Sequence, residues 1–97
     1  MAQFDFYADG AGFILDVQSG LLDGLLTRMA VPLWPVAHAP KPAERLNPVF
    51  IIGAARYVMV TQFMASIPAS ELKAKAGSLA HEHFTIKPAI DMLFDSI

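Results

Sequence analysis

Ninety-seven residues suffice for one domain, 1–97, and leave no room for a second core. Hydrophobic side chains make up 55% of the chain and charged ones only 16%, a surplus that so small a core does not absorb and that predicts a homodimer. The net charge of −2 and the lack of cysteine exclude a basic nucleic-acid footprint, a disulfide framework and thiolate chemistry.

The longest uncharged stretch, Tyr57 to Ser70, contains Gln62, Ser66 and Pro68 and is shorter than the ~18 residues a membrane span needs. Asp5 and Asp9 precede the first basic residue, Arg28, which is the reverse of a signal peptide. A cytoplasmic protein is expected. Residues 1–27 hold Asp5, Asp9, Asp16 and Asp23 and no Lys or Arg, so the N-terminal region is a candidate surface for a basic partner segment.

Gln3 to Tyr7 alternates, with Phe4 and Phe6 on one side and Asp5 and Tyr7 on the other. Asp9-Gly10 tolerates the positive φ of a tight hairpin, and Phe13, Leu15 and Val17 then alternate with Asp16 and Gln18. Gly20 to Thr27 reads as a loop holding Leu21, Leu22, Leu25 and Leu26. Met29, Val31 and Leu33 restart the strand pattern. Pro32 has no N–H to donate, which predicts an edge strand or a bulge there.

Pro35, Pro40 and Pro42 mark an extended connection to about Leu46. Val49 to Ile52 and Tyr57 to Met64 are continuously apolar, which predicts central strands covered on both faces. Ser70 to Ala80 fits either a helix interrupted at Gly77 or an irregular segment. Ile86, Ile90, Leu93, Phe94 and Ile97 recur at helical spacing, with Thr85 as the expected cap and Pro88 in the first turn. The final carbonyls of such a helix are free, making its end a candidate contact surface. The expected architecture is mostly β with one C-terminal helix.

Candidate chemistry is sparse. His81-Glu82-His83 places two histidines two apart, whereas a zinc helix needs them four apart, so no metal site is expected. Ser70-x-x-Lys73 lacks the companion motifs of acyl-transfer enzymes, and Gly20 and Gly24 lack the lysine of a phosphate loop. Trp34, between prolines, reads as a core or interface filler. Thr27 with Arg28 is the one polar pair suited to phosphodiester chemistry. No cofactor is expected.

Leu15-Asp16-Val17-Gln18-Ser19, Arg28-Met29-Ala30-Val31-Pro32-Leu33 and Met64-Ala65-Ser66-Ile67-Pro68 resemble the CcdB toxin family in order and spacing. So do Asn47-Pro48-Val49, Ile52-Gly53, His81, Ile86-Lys87-x-Ala89-Ile90, Phe94 and Ile97, and the similarity covers nearly the whole chain. The resemblance implies an SH3-like antiparallel barrel or sheet with a small accessory sheet and one C-terminal α-helix, assembled as a homodimer. It also implies a non-enzymatic toxin that traps the A subunit of DNA gyrase on cleaved DNA and is neutralised by an antitoxin with a disordered C-terminal arm. No direct sequence-specific nucleic-acid binding is expected.

Carried over by position, the gyrase-binding residues are Ser19, Leu21, Leu22, Asp91, Phe94, Asp95, Ser96 and Ile97. The family ends Trp-Gly-Ile where this chain has Asp95-Ser96-Ile97, and Asp91 replaces a usual asparagine. Two alternatives stand beside this reading. One is a ribonuclease toxin of the related superfold using Arg28 to stabilise charge. The other is a family member that keeps dimer and antitoxin binding without gyrase poisoning.

Overall fold

Phe4 and Phe6 project to the same side as Leu15 and Val17, and the four begin the hydrophobic core. In the computed structural model, which describes residues 2–95, β1 (Asp5–Asp9) and β2 (Gly12–Asp16) pair antiparallel with Phe6 opposite Leu15 and Asp9 opposite Gly12. Gly10 takes φ 56°, the left-handed turn conformation that the Asp9-Gly10 pair predicts. The strand begins at Asp5 rather than Gln3, because Phe4 has φ 72°. Its backbone is held there by Asp16, whose carbonyl accepts the Phe4 N–H at 2.6 Å, and by Leu79, whose N–H donates to the Phe4 carbonyl at 2.8 Å.

The chain continues through β3 (Thr27–Pro35), β4 (Val49–Ile52), β5 (Ala55–Met59), β6 (Ala65–Pro68) and β7 (Lys75–Ser78) to helix α1 (His83–Asp95). The strands run β4-β5-β3-β2-β1-β7 across one antiparallel sheet that curls into a half-barrel, with β6 as a small extra strand off the main path. The SH3-like, mainly β architecture with one terminal helix is therefore present. Ile86 and Ala89 of α1 are fully buried against Leu15, Val31, Leu33, Phe50 and Met59. Each large side chain so enclosed stabilises the fold by roughly 1.5–3 kcal/mol relative to exposure.

Several expectations are corrected. β3 is central: β2 lies on one side, and the other side is shared between β6 at Thr27–Ala30 and β5 at Leu33–Pro35. Pro32 falls between these two partners, where its missing N–H leaves no donor orphaned and its carbonyl accepts from Val60 at 3.0 Å. β4 is an edge strand, not a central one. Its Ile51 is 72% exposed, because the curl brings the core only to the Phe50 face. Tyr57 to Met64 is also not one strand; β5 ends at Met59 and a 3-10 turn at Thr61–Phe63 leads into β6.

The Ser70–Ala80 segment contains a 3-10 turn at Ala69–Glu71 and then β7, which pairs with β1. Helix α1 starts at His83 behind a 3-10 turn at Ala80–Glu82, so Thr85 is not its cap and Pro88 lies inside it. Buried Asn47 joins the connection before β4 to the turn after β5. Its amide donates to the Met59 carbonyl at 3.0 Å and to Gln62 Oε1 at 2.7 Å, while its oxygen accepts from the Ala43 N–H at 3.0 Å.

Candidate partner-binding site

Four leucines lie on the β2–β3 loop, and burial is what a leucine ordinarily gains by folding. Here Leu21 is 95% and Leu26 87% exposed, and Leu22 and Leu25 are about half exposed. The loop is nonetheless tightly held. Ser19 precedes a 3-10 turn at Gly20–Leu22, and its Oγ accepts the Leu21 N–H at 3.2 Å. The Gln18 side chain spans the loop, accepting from the Met29 N–H at 2.9 Å and donating to the Leu22 carbonyl at 3.2 Å. Leu26 is fixed at the far side by its carbonyl, which accepts from the Ala69 N–H at 2.8 Å.

Beneath the loop sits Arg28, only 1% exposed. Its Nε and Nη2 both reach Asp16 Oδ2, at 2.9 and 2.8 Å, and its Nη1 reaches Asp23 Oδ1 at 2.9 Å. Asp16, fully buried, uses its other oxygen to accept the Gln18 N–H at 3.0 Å. Burial alone would lower the guanidinium pKa; the hydrogen bonds and charges of Asp16 and Asp23 outweigh it and hold the group above its ordinary value. The same cluster reaches Tyr7. Its phenol is raised by burial first and by the Asp5 and Asp16 charges next, against the opposing charge of Arg28.

This arrangement overturns a role for Arg28 in RNA cleavage. A charge stabiliser must face a substrate phosphate, and this guanidinium is enclosed and shared between two carboxylates. The acidic N-terminal surface also shrinks. Asp5 and Asp16 are buried, Asp5 paired with Lys75 at 3.3 Å and Asp16 with Arg28, which leaves Asp9 and Asp23 exposed. The Asp16–Arg28–Asp23 cluster is not apparent from the sequence, although its members lie within thirteen residues. Its one trace is a charged residue set inside each of two apolar strand runs.

Of the other carried-over residues, Asp91, Phe94 and Asp95 lie on α1. Asp91 and Asp95, one turn apart and both exposed, line a shallow depression with Arg45, Pro88 and Met92. Phe94 is 70% exposed. Ser96 and Ile97 lie outside the described residues. α1 packs into the core through Ile86 and Ala89 and also meets the turn at Thr61–Phe63. Among the described residues there is no group of three or more metal-ligating side chains, and His83 Nδ1 lies 2.8 Å from the Ala80 carbonyl. No helix among them is long and apolar enough to cross a membrane.

A curled antiparallel half-barrel with one terminal helix, displaying exposed apolar side chains on a pinned loop and on the helix, defines a small mainly β domain. The family model described as CcdB protein matches residues 3–96, and the chain belongs to the CcdB family. Family membership implies the toxin of a toxin–antitoxin pair.

Proposed function

We propose that this protein acts by binding rather than catalysis: as a homodimer it grips the A subunit of DNA gyrase and poisons it, and an antitoxin with a disordered C-terminal arm neutralises it. The gripping surface comprises Ser19, Leu21 and Leu22 of the loop and Asp91, Phe94 and Asp95 of α1, with Ser96 and Ile97 that follow them in the sequence. The observation that carries this reading is the exposed leucine loop held rigid by Arg28 and Gln18. Apolar side chains displayed on an ordered loop bind without the entropic cost of ordering it, which is how preorganisation raises affinity. Exposed Phe63, Phe84 and Ile51 supply further apolar surface for a dimer to cover.

Asp95 stands where the family carries tryptophan. A carboxylate offers little area and is costly to bury unpaired, but it holds an arginine well by a charge-assisted bond. On an exposed rim such a pair is screened by salt. Titration calorimetry with a gyrase A-subunit fragment at two salt concentrations tests this. Wild type is expected to bind in a salt-sensitive manner, Asp95→Trp more tightly, and Asp95→Ala and Leu21→Ala more weakly. If Asp95→Ala and Leu21→Ala both bind as well as wild type, this surface is not the grip.

A further inference from the structure

Of the four aspartates in residues 1–27, Asp5 pairs with Lys75, and Asp16 and Asp23 pair with Arg28, whereas Asp9 has no ion-pair partner among the described residues. Asp9 is exposed at the hairpin end, opposite Gly12. Trp34, the chain's one tryptophan, lies on β3 directly after Leu33, the partner of Phe13. Gly12 thus stands between carboxylate and indole and has no side chain to fill the gap. An added Cβ there would collide with the Leu33 carbonyl, so the position admits glycine alone.

Two depressions meet at this point, and Asp9 and Trp34 line both. One, of about 260 Å³, is completed by Ala11, Gly12, Pro35 and His38. The other, of about 230 Å³, is apolar, with Ile14, Pro32, Phe63 and Ile67 along it. Phe63 braces the indole edge-to-face at a centroid distance of 5.3 Å. An indole face beside an unpaired carboxylate suits a guanidinium or ammonium, which stacks on the ring while the carboxylate accepts its N–H groups. In an extended chain, side chains two apart lie on one face about 6.6 Å from each other, a spacing suited to one residue in each of two depressions that share Asp9 and Trp34.

We propose that the Asp9–Trp34 groove docks an extended segment of a partner protein with an arginine at one position and an aliphatic side chain two residues on. The arginine stacks on Trp34 against Asp9, and the aliphatic group enters the Ile14–Pro32–Phe63–Ile67 depression. The groove is distinct from the leucine loop and helix end, and it rests on the reading above only for the antitoxin arm as the source of the segment.

The sole tryptophan reports on the groove directly. Titrating the full chain with acetyl-Ser-Arg-Ser-Leu-Ser-amide is expected to change Trp34 emission saturably. Replacing arginine by glutamate in the peptide is expected to abolish the change, and replacing leucine by alanine to weaken it. Asp9→Asn, an exposed substitution, is expected to weaken binding by about three- to tenfold while leaving the melting temperature unchanged. Equal binding of the glutamate peptide, a non-saturating response, or an Asp9→Asn protein that binds as wild type overturns the proposal. So does Trp34 emission that ignores peptide but shifts on dilution of the protein alone, which identifies a second copy as the occupant. Binding of the gyrase fragment, measured on the same samples, separates failure of the groove from failure of the loop-and-helix surface.

Discussion

At the Thr27 end of β3, Arg28 is closed over by Asp16 and Asp23, whereas at the Pro35 end Trp34 shares two open depressions with Asp9, a carboxylate with no cation of its own. The aspartates come from the same short acidic stretch, yet their surroundings assign them opposite work. A carboxylate that supplies the counter-charge of a buried guanidinium is part of the fold; one left in solvent beside an aromatic ring is available to a partner. Counting charges along the chain does not separate the two. Burial does.

The contrast breaks hardest at Arg28. Arg28→Met leaves Asp16 buried without its counter-charge and is expected to cost about 3–5 kcal/mol in urea unfolding, since removing one partner of a buried pair strands the other. Replacing both, as Arg28→Met with Asp16→Leu, is expected to recover most of that loss. A cost below about 1 kcal/mol for the single variant contradicts a structural role for this end of the strand.

Asp23 is 55% exposed, so its pair with Arg28 is solvent-screened and Asp23→Ala is expected to cost at most about 1 kcal/mol. The local effect is larger than the global one. Amide exchange at Leu22 and Leu25, whose N–H groups close the turns of the loop, is expected to quicken while the core amides stay protected. Unchanged exchange there means that Gln18 and Ser19 hold the loop without Asp23.

Tyr7 joins the closed end through its raised phenol pKa, caused by burial first and then by Asp5 and Asp16. Its folded-state value lies above the ordinary 10.0, so its contribution is complete below that pH and is lost as pH rises through the folded value. Melting temperatures on either side of pH 10.0 are expected to fall more steeply for wild type than for Tyr7→Phe. At the open end, Asp9→Asn is expected to move stability by no more than about 0.5 kcal/mol, the ordinary range for a surface change. A larger loss makes Asp9 a structural residue like its neighbours.

The opening hairpin was legible because Phe4, Phe6, Leu15 and Val17 alternate cleanly and Asp9-Gly10 supplies the turn. The terminal helix was legible from Ile86 and Ile90, although its start was not, because the preceding 3-10 turn is anchored by Ser78 Oγ, which accepts the Ala80 N–H at 3.1 Å, and not by Thr85. The middle of the chain misled for a physical reason. Continuous apolar runs signal two covered faces, but β4 ends the sheet and leaves Ile51 in solvent. In Lys75–Ser78, pairing with β1 prevails over the helical leaning of its alanines. Of the candidate surface, the leucine loop was visible as a loop, whereas the guanidinium that pins it depends on side-chain pairing across β2, the loop and β3 that no local pattern announces.

β3 is bound on both sides, by β2 and by β5 and β6, and β1 is closed on its outer side by β7. The first strand made is therefore completed by the last. Non-local pairings of this kind delay folding, because a long loop must close before any contact repays its entropy. On a ribosome, the N-terminal hairpin emerges long before Lys75–Ser78 exists to cover its flank. The half-barrel is closed on that side only once Lys75–Ser78 has emerged and paired with β1, whereas the contacts that brace the leucine loop are complete once Ala69 is in place.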